Sequence, residues 1–184
     1  MNIQRYHPVI CVLHWLLAAM IMAALVMSTF VMAHIPDTDP AKISAILRHM
    51  SVGVLILVCT ALRLFTRKKT GRPTSLPSGM PWADWLAGIV HRLLDVLVFI
   101  MIGSGICMAV FSNLPKAILE GQSELLANLD SLPWHTLHVA GARVLFGVLL
   151  LHVGGALYHQ LILRDGLLWR MCSIPRLAKK KKPF

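Results

Sequence analysis

Four long apolar runs constrain this chain more than any other feature. They cover about residues 9–33, 43–65, 85–111 and 134–163. A hydrocarbon core about 30 Å thick needs roughly 20 apolar residues in a helix to cross it. Inside lipid every backbone polar group must be satisfied within the segment, which leaves a helix as the form for each run. The rest of the composition agrees: 57% of the 184 residues are hydrophobic and mean hydropathy is +0.68. The expected fold is all-α, a transmembrane four-helix bundle forming one membrane domain over residues 1–184. The first run is too long for a signal-peptide core of about 7–15 residues and no A-x-A site follows it, so it reads as a retained span.

The net charge of +10 could point to nucleic acid, but the basic residues fall between and after the apolar runs. Arg5, the connector with Arg67, Lys68, Lys69 and Arg72, and the tail ending in Lys179 to Lys182 hold most of them. The other two loops carry Asp37, Asp39, Glu120, Glu124 and Asp130 against Lys42, Arg48 and Lys116. The positive-inside rule then places both termini and the second connector in the cytoplasm. The expected partner is a lipid bilayer, with no nucleic acid. Within the third loop, residues 114–129 read as a short helix lying on the surface. Cys11, Cys59 and Cys107 lie inside apolar runs, where cysteine behaves as a small hydrophobe. With Cys172 they form no CxxC pair and no CxxCH haem-attachment motif.

Histidines carry the chemistry. His138 and His152 lie fourteen residues apart on the fourth run. That spacing advances a helix by roughly 21 Å and returns it to within about 40° of the same face. His14 opens the first run and His49 the second, so topology matches the depths of His14 with His152 and of His49 with His138. Ionisable groups inside a membrane are costly and face the bundle interior. Two depth-matched pairs therefore predict two bis-histidine sites. Neutral imidazoles on both sides of a flat ring are axial ligation for an electron-transfer haem, whereas zinc takes four ligands. Two haem b groups follow, His14 and His152 holding the inner iron, His49 and His138 the outer.

Other charged residues gather around these pairs. Arg63, fourteen residues after His49, reaches the depth of the inner pair and is a candidate partner for haem propionates; the plainer reading is an arginine snorkelling to the interface. Arg143 is a candidate for the outer propionates. Asp95 is a candidate partner of Arg143, or locally of Arg92. His91 and His159 lie at inner depth and are candidate quinone or propionate contacts, able to deliver protons. The tryptophans at the span ends read as an aromatic belt. Gly154 and Gly155 beside His152 would let a ring or a backbone come close.

The segments Arg5-Tyr6 … Leu13-His14-Trp15, Arg48-His49 … Gly53, and His152 … His159 … Arg164-Asp165-Gly166 … Arg170-Met171 resemble the bacterial cytochrome b561 family, whose wider superfamily includes the cytochrome b subunits of membrane nickel hydrogenases. The resemblance spans nearly the whole chain. It implies a four-helix bundle with two haem b groups, ligated from helices 1, 2 and 4 at positions matching His14, His49, His138 and His152, that exchanges electrons with quinone. Stand-alone members of this size include a superoxide oxidase, which implies a quinone oxidoreductase taking electrons from superoxide at the outer face. A positive funnel would suit that anion; here the outer loops carry more acidic than basic residues. Two alternatives remain at this level: a cytochrome b anchor subunit of a dehydrogenase or hydrogenase, and a histidine-lined metal or proton transporter.

Overall fold

The computed structural model describes residues 5–71, 78–121 and 129–171. Cys172, Glu124, Arg72 and the lysine tail lie outside the described residues. Helix α1 runs Pro8–Val26 and continues through a π-helical turn, Met27–Val31, and a 3-10 turn, Met32–His34. Then come α2, Ala41–Thr70, α3, Pro81–Phe111, and the short α4, Leu114–Glu120. Helix α5 spans Pro133–Tyr158, extends by a π-helical turn over His159–Leu163, and is followed by α6, Leu167–Arg170. Four of these helical stretches, Pro8–His34, Ala41–Thr70, Pro81–Phe111 and Pro133–Leu163, are long and apolar enough to cross a membrane.

Local chemistry fixes the boundaries. Pro8, Pro81 and Pro133 occupy the first turns of α1, α3 and α5, where a missing N–H costs nothing and φ is preset. Helix α2 runs five residues past the predicted end at 65. Arg67, Lys68 and Lys69 fill its last turn, where cations complement the negative end of the helix dipole. It stops at Gly71, whose φ of 72° costs glycine no Cβ strain. At the opposite end, the Lys42 ammonium donates to the Met32 and Ile35 carbonyls and pairs with Asp37 at 2.9 Å, tying the α1–α2 turn together.

Helix α1 packs along α2 and α3 along α5; contacts between these two hairpins are sparse. Leu13 and Leu17 of α1 meet Ile56 and Cys59 of α2, with Val98 of α3 joining them. Val90 and Leu97 of α3 meet Leu145 and Val148 of α5. Gly141 brings α3 and α5 close: a Cβ there would lie 3.0 Å from Met101 Sδ. The third loop is more than a surface strand of chain. Its α4 buries Leu114 and Ala117 against Ile43 and Ile46 of α2, covering one end of the bundle. At the other end the chain ends meet: Tyr6 N–H donates to the Arg170 carbonyl and Trp15 Nε1 to the Met171 carbonyl at 3.0 Å.

Candidate functional site

Two histidine pairs bridge the sparse seam between the hairpins. His14 of α1 faces His152 of α5, and His49 of α2 faces His138 of α5, with ring centroids 6.1 Å apart in both pairs. A metal held between two imidazoles requires two bonds of roughly 2 Å plus about 1.1 Å from each nitrogen to its ring centre, or about 6.2 Å between centroids. Both pairs have that spacing. The rings are twisted by 72° and 74°, which rotation about a shared axis allows.

Three further observations fit a flat macrocycle in the seam. His49 Nδ1 is buried without a hydrogen-bond partner, and so is Arg63 Nε. Buried polar atoms in native proteins are nearly always satisfied, so each such atom asks for a missing partner. Gly154 and Gly155, adjoining His152, have open space where a Cβ would stand; they serve no helix contact, in contrast to Gly141. Among the described residues no three His, Cys, Asp or Glu converge as a metal cage. Two donors per site suit an iron already held by a porphyrin and not a four-coordinate zinc.

The His14–His152 pair sits in a charged surround that sequence reading resolved only in part. Asp95 bridges Arg63 and Arg67, the latter at 3.2 Å. The expected partnerships of Asp95 with Arg143 or Arg92 are thus replaced. Helix α3 crosses α2 so that Asp95 meets two guanidiniums stacked at i and i+4. Arg67 was missed because it was counted with the basic connector; its four-residue offset from Arg63 was the available signal. Arg63 retains its buried Nε for another acceptor. Arg143 is exposed on α5 and makes no ion pair among the described residues.

His91 comes closer to His152 than His14 does, with centroids 5.2 Å apart. That is too short for a metal between the two rings, so His91 flanks the inner pair as a neighbour. His159 is drawn elsewhere: its Nδ1 lies 2.5 Å from Asp165 Oδ2, and Asp165 Oδ1 accepts the Leu167 N–H at 2.9 Å, capping α6. A carboxylate acceptor places the imidazole proton on Nδ1 and leaves Nε2 free. Beside it a groove of about 360 Å³ is lined by Gln160, Leu161, Arg164, Gly166 and Trp169. Arg164, at φ 51°, is the one non-glycine residue with positive φ among the described residues, and it follows the π-helical turn. Such turns recur at functional sites.

Near the His49–His138 pair, His135 is held by Asp130 at 3.2 Å, away from the pairing that His138 makes with His49. Ser104, which the sequence reading passed over between Gly103 and Gly105, is 3% exposed. Its hydroxyl lies 2.9 Å from His138 Nδ1. A lone serine amid small residues in the middle of an apolar span was the signal.

Four spanning helices, histidines at two levels across one seam, and a basic, partly unsatisfied surround at one level form the structural frame. Residues 5–173 match the family described as prokaryotic cytochrome b561. The chain belongs to that family and is a multi-pass membrane b-type cytochrome of electron transfer.

Proposed function

We propose that this protein is a di-haem b cytochrome of the bacterial inner membrane that carries electrons between a donor at the outer face and the quinone pool. The observation that carries this reading is the repeated 6.1 Å spacing of His14 with His152 and of His49 with His138. The termini, Arg63 and His159 lie on the cytoplasmic side in this reading, and α4 covers the outer side. When bound, haem iron supplies the one-electron steps by cycling between ferric and ferrous. The residues supply the rest. The four histidines would ligate the irons, the unpartnered Arg63 Nε–H would donate to an inner propionate, and Arg143 would be the cation available to the outer propionates.

Quinone reduction needs a polar contact and a proton route beside an apolar groove. The groove lined by Gln160, Leu161, Arg164, Gly166 and Trp169 offers the first. His159, its Nδ1 proton directed to Asp165, presents Nε2 as an acceptor that takes up a proton and passes it on, and His91 beside His152 is the second polar group at that level. On the outer face, Lys42 is engaged by Asp37 and Lys116 lies 4.0 Å from Glu120. Arg48 and Arg143, by contrast, are exposed and make no ion pair among the described residues, so positive charge remains on that side to steer an anionic donor such as superoxide.

Haem stoichiometry of ligand variants tests the reading. Wild-type protein should carry two haems per chain, visible in a reduced-minus-oxidised spectrum. The double variants H49A/H138A and H14A/H152A should each keep about one, because both lesions fall on one site. The cross-pair double H14A/H138A should keep none. A colourless wild type, or a cross-pair double that retains as much haem as the within-pair doubles, would falsify the assignment. Quinone reduction by purified, reduced protein in proteoliposomes tests the electron acceptor.

A further inference from the structure

We infer that Ser104 is a positioning residue for one of the two haem sites: its hydroxyl accepts the Nδ1 proton of His138 and so fixes the imidazole tautomer that turns Nε2 toward the iron. This rests on the reading of His138 as an axial ligand. The argument is one of proton accounting. A serine hydroxyl has a single hydrogen. Ser104 Oγ lies 2.7 Å from the Ile100 carbonyl and 3.1 Å from the Met101 carbonyl, and both oxygens can only accept. Its hydrogen therefore points back along α3, and the 2.9 Å contact with His138 Nδ1 is made by the hydroxyl lone pair. With the hydroxyl as acceptor, the His138 ring takes the tautomer with Nδ1 protonated.

The surroundings give this contact weight. Ser104 is 3% exposed in the middle of an apolar helix, where a hydroxyl is costly unless bonded. A Cβ at Gly105 would stand 3.6 Å from His138 Cε1, so the His138 ring lies close to the bare backbone of α3 at the neighbouring position. His49, the other ligand of the pair, has its Nδ1 buried without a partner. The two histidines of this pair thus differ in the structure: His138 Nδ1 has a hydroxyl partner on α3, and His49 Nδ1 has no partner from the protein. An acceptor on the remote ring nitrogen raises ligand basicity and favours the ferric state.

The test compares S104A and S104T in the full-length, haem-loaded protein. Potentiometric titration, low-temperature EPR and the rate of haem loss to an acceptor protein are the readouts. In S104A one haem should shift to a higher potential with a changed largest g-value, and should leave about tenfold faster. The other haem should be unmoved, and S104T, which keeps the hydroxyl, should lie near wild type. Loss of one haem outright in S104A with retention in S104T supports the inference equally. Wild-type potentials, g-values and haem loss in S104A overturn it, as does equal disturbance of both haems by both variants, which would mark plain packing. H138A separates the two levels of claim. If H138A loses one haem while S104A is silent, only the role of Ser104 fails; if H138A keeps both haems, the ligand assignment fails with it.

Discussion

Replacing Asp95 by asparagine removes the one carboxylate that holds two cations at the inner level. Arg63, Asp95 and Arg67 expose 22%, 23% and 28% of their side chains, so each is about three-quarters buried. Breaking a fully buried pair costs about 3–5 kcal/mol, and an exposed pair is worth about 0.2–1 kcal/mol. With two cations served by one acid at this burial, loss of the charge costs about 3 kcal/mol on that scale. The asparagine oxygen still accepts one guanidinium hydrogen bond, recovering about 1 kcal/mol. The expected net loss is about 2 kcal/mol, or roughly 4–8 °C in melting temperature for a chain of this size. R67Q, which leaves the Arg63 contact in place, should lose about half as much. In D95N the two arginines are left facing each other, so D95N/R67Q should melt no lower than D95N alone, a coupling between neighbours that simple addition would miss. Melting curves of the four proteins in one detergent, followed by tryptophan fluorescence, decide the matter. A D95N protein melting with wild type, or an R67Q lesion larger than D95N, would refute the reasoning.

Three other outcomes are expected. D165A should weaken quinone reduction about tenfold while leaving both haem spectra intact, because it removes the acceptor that orients His159; stopped-flow reoxidation of reduced protein checks this, and an unchanged rate removes His159 from the proton route. G147A should be neutral or stabilise by up to about 1 kcal/mol through helix propensity, since a Cβ there meets nothing within 4 Å. G141L should cost about 1–3 kcal/mol by overpacking against Met101, and thermal melts separate the two. Reduction by an anionic donor should slow as ionic strength rises, because Arg48 and Arg143 are exposed without an ion pair among the described residues; a rate indifferent to salt would remove these cations from donor steering.

The parts legible in sequence were those governed by local periodicity and by the solvent. Four spans, their approximate ends and the shared face of His138 and His152 follow from helix geometry and bilayer thickness. The pairing of His14 with His152 and of His49 with His138 was also reached, because depth along a span is a one-dimensional quantity that residue counting supplies. What counting lacks is azimuth, the direction in which each helix turns its side chains toward its neighbours.

That missing angle explains the differences. Asp95 pointed by sequence to Arg143 or Arg92, yet its partners Arg63 and Arg67 emerged only when α3 was set against α2. His91 had the depth of His152, but only the fold shows that it stands too close for a metal to lie between them. Ser104 looked like one small residue among several until α5 brought His138 to its hydroxyl. The sequence by itself determined a four-span helical bundle with histidines at two levels, because hydropathy and rise per residue act along the chain. The tertiary structure decided which groups face each other across the seam, because hydrogen bonds and ion pairs depend on distances between helices that no spacing within one helix encodes.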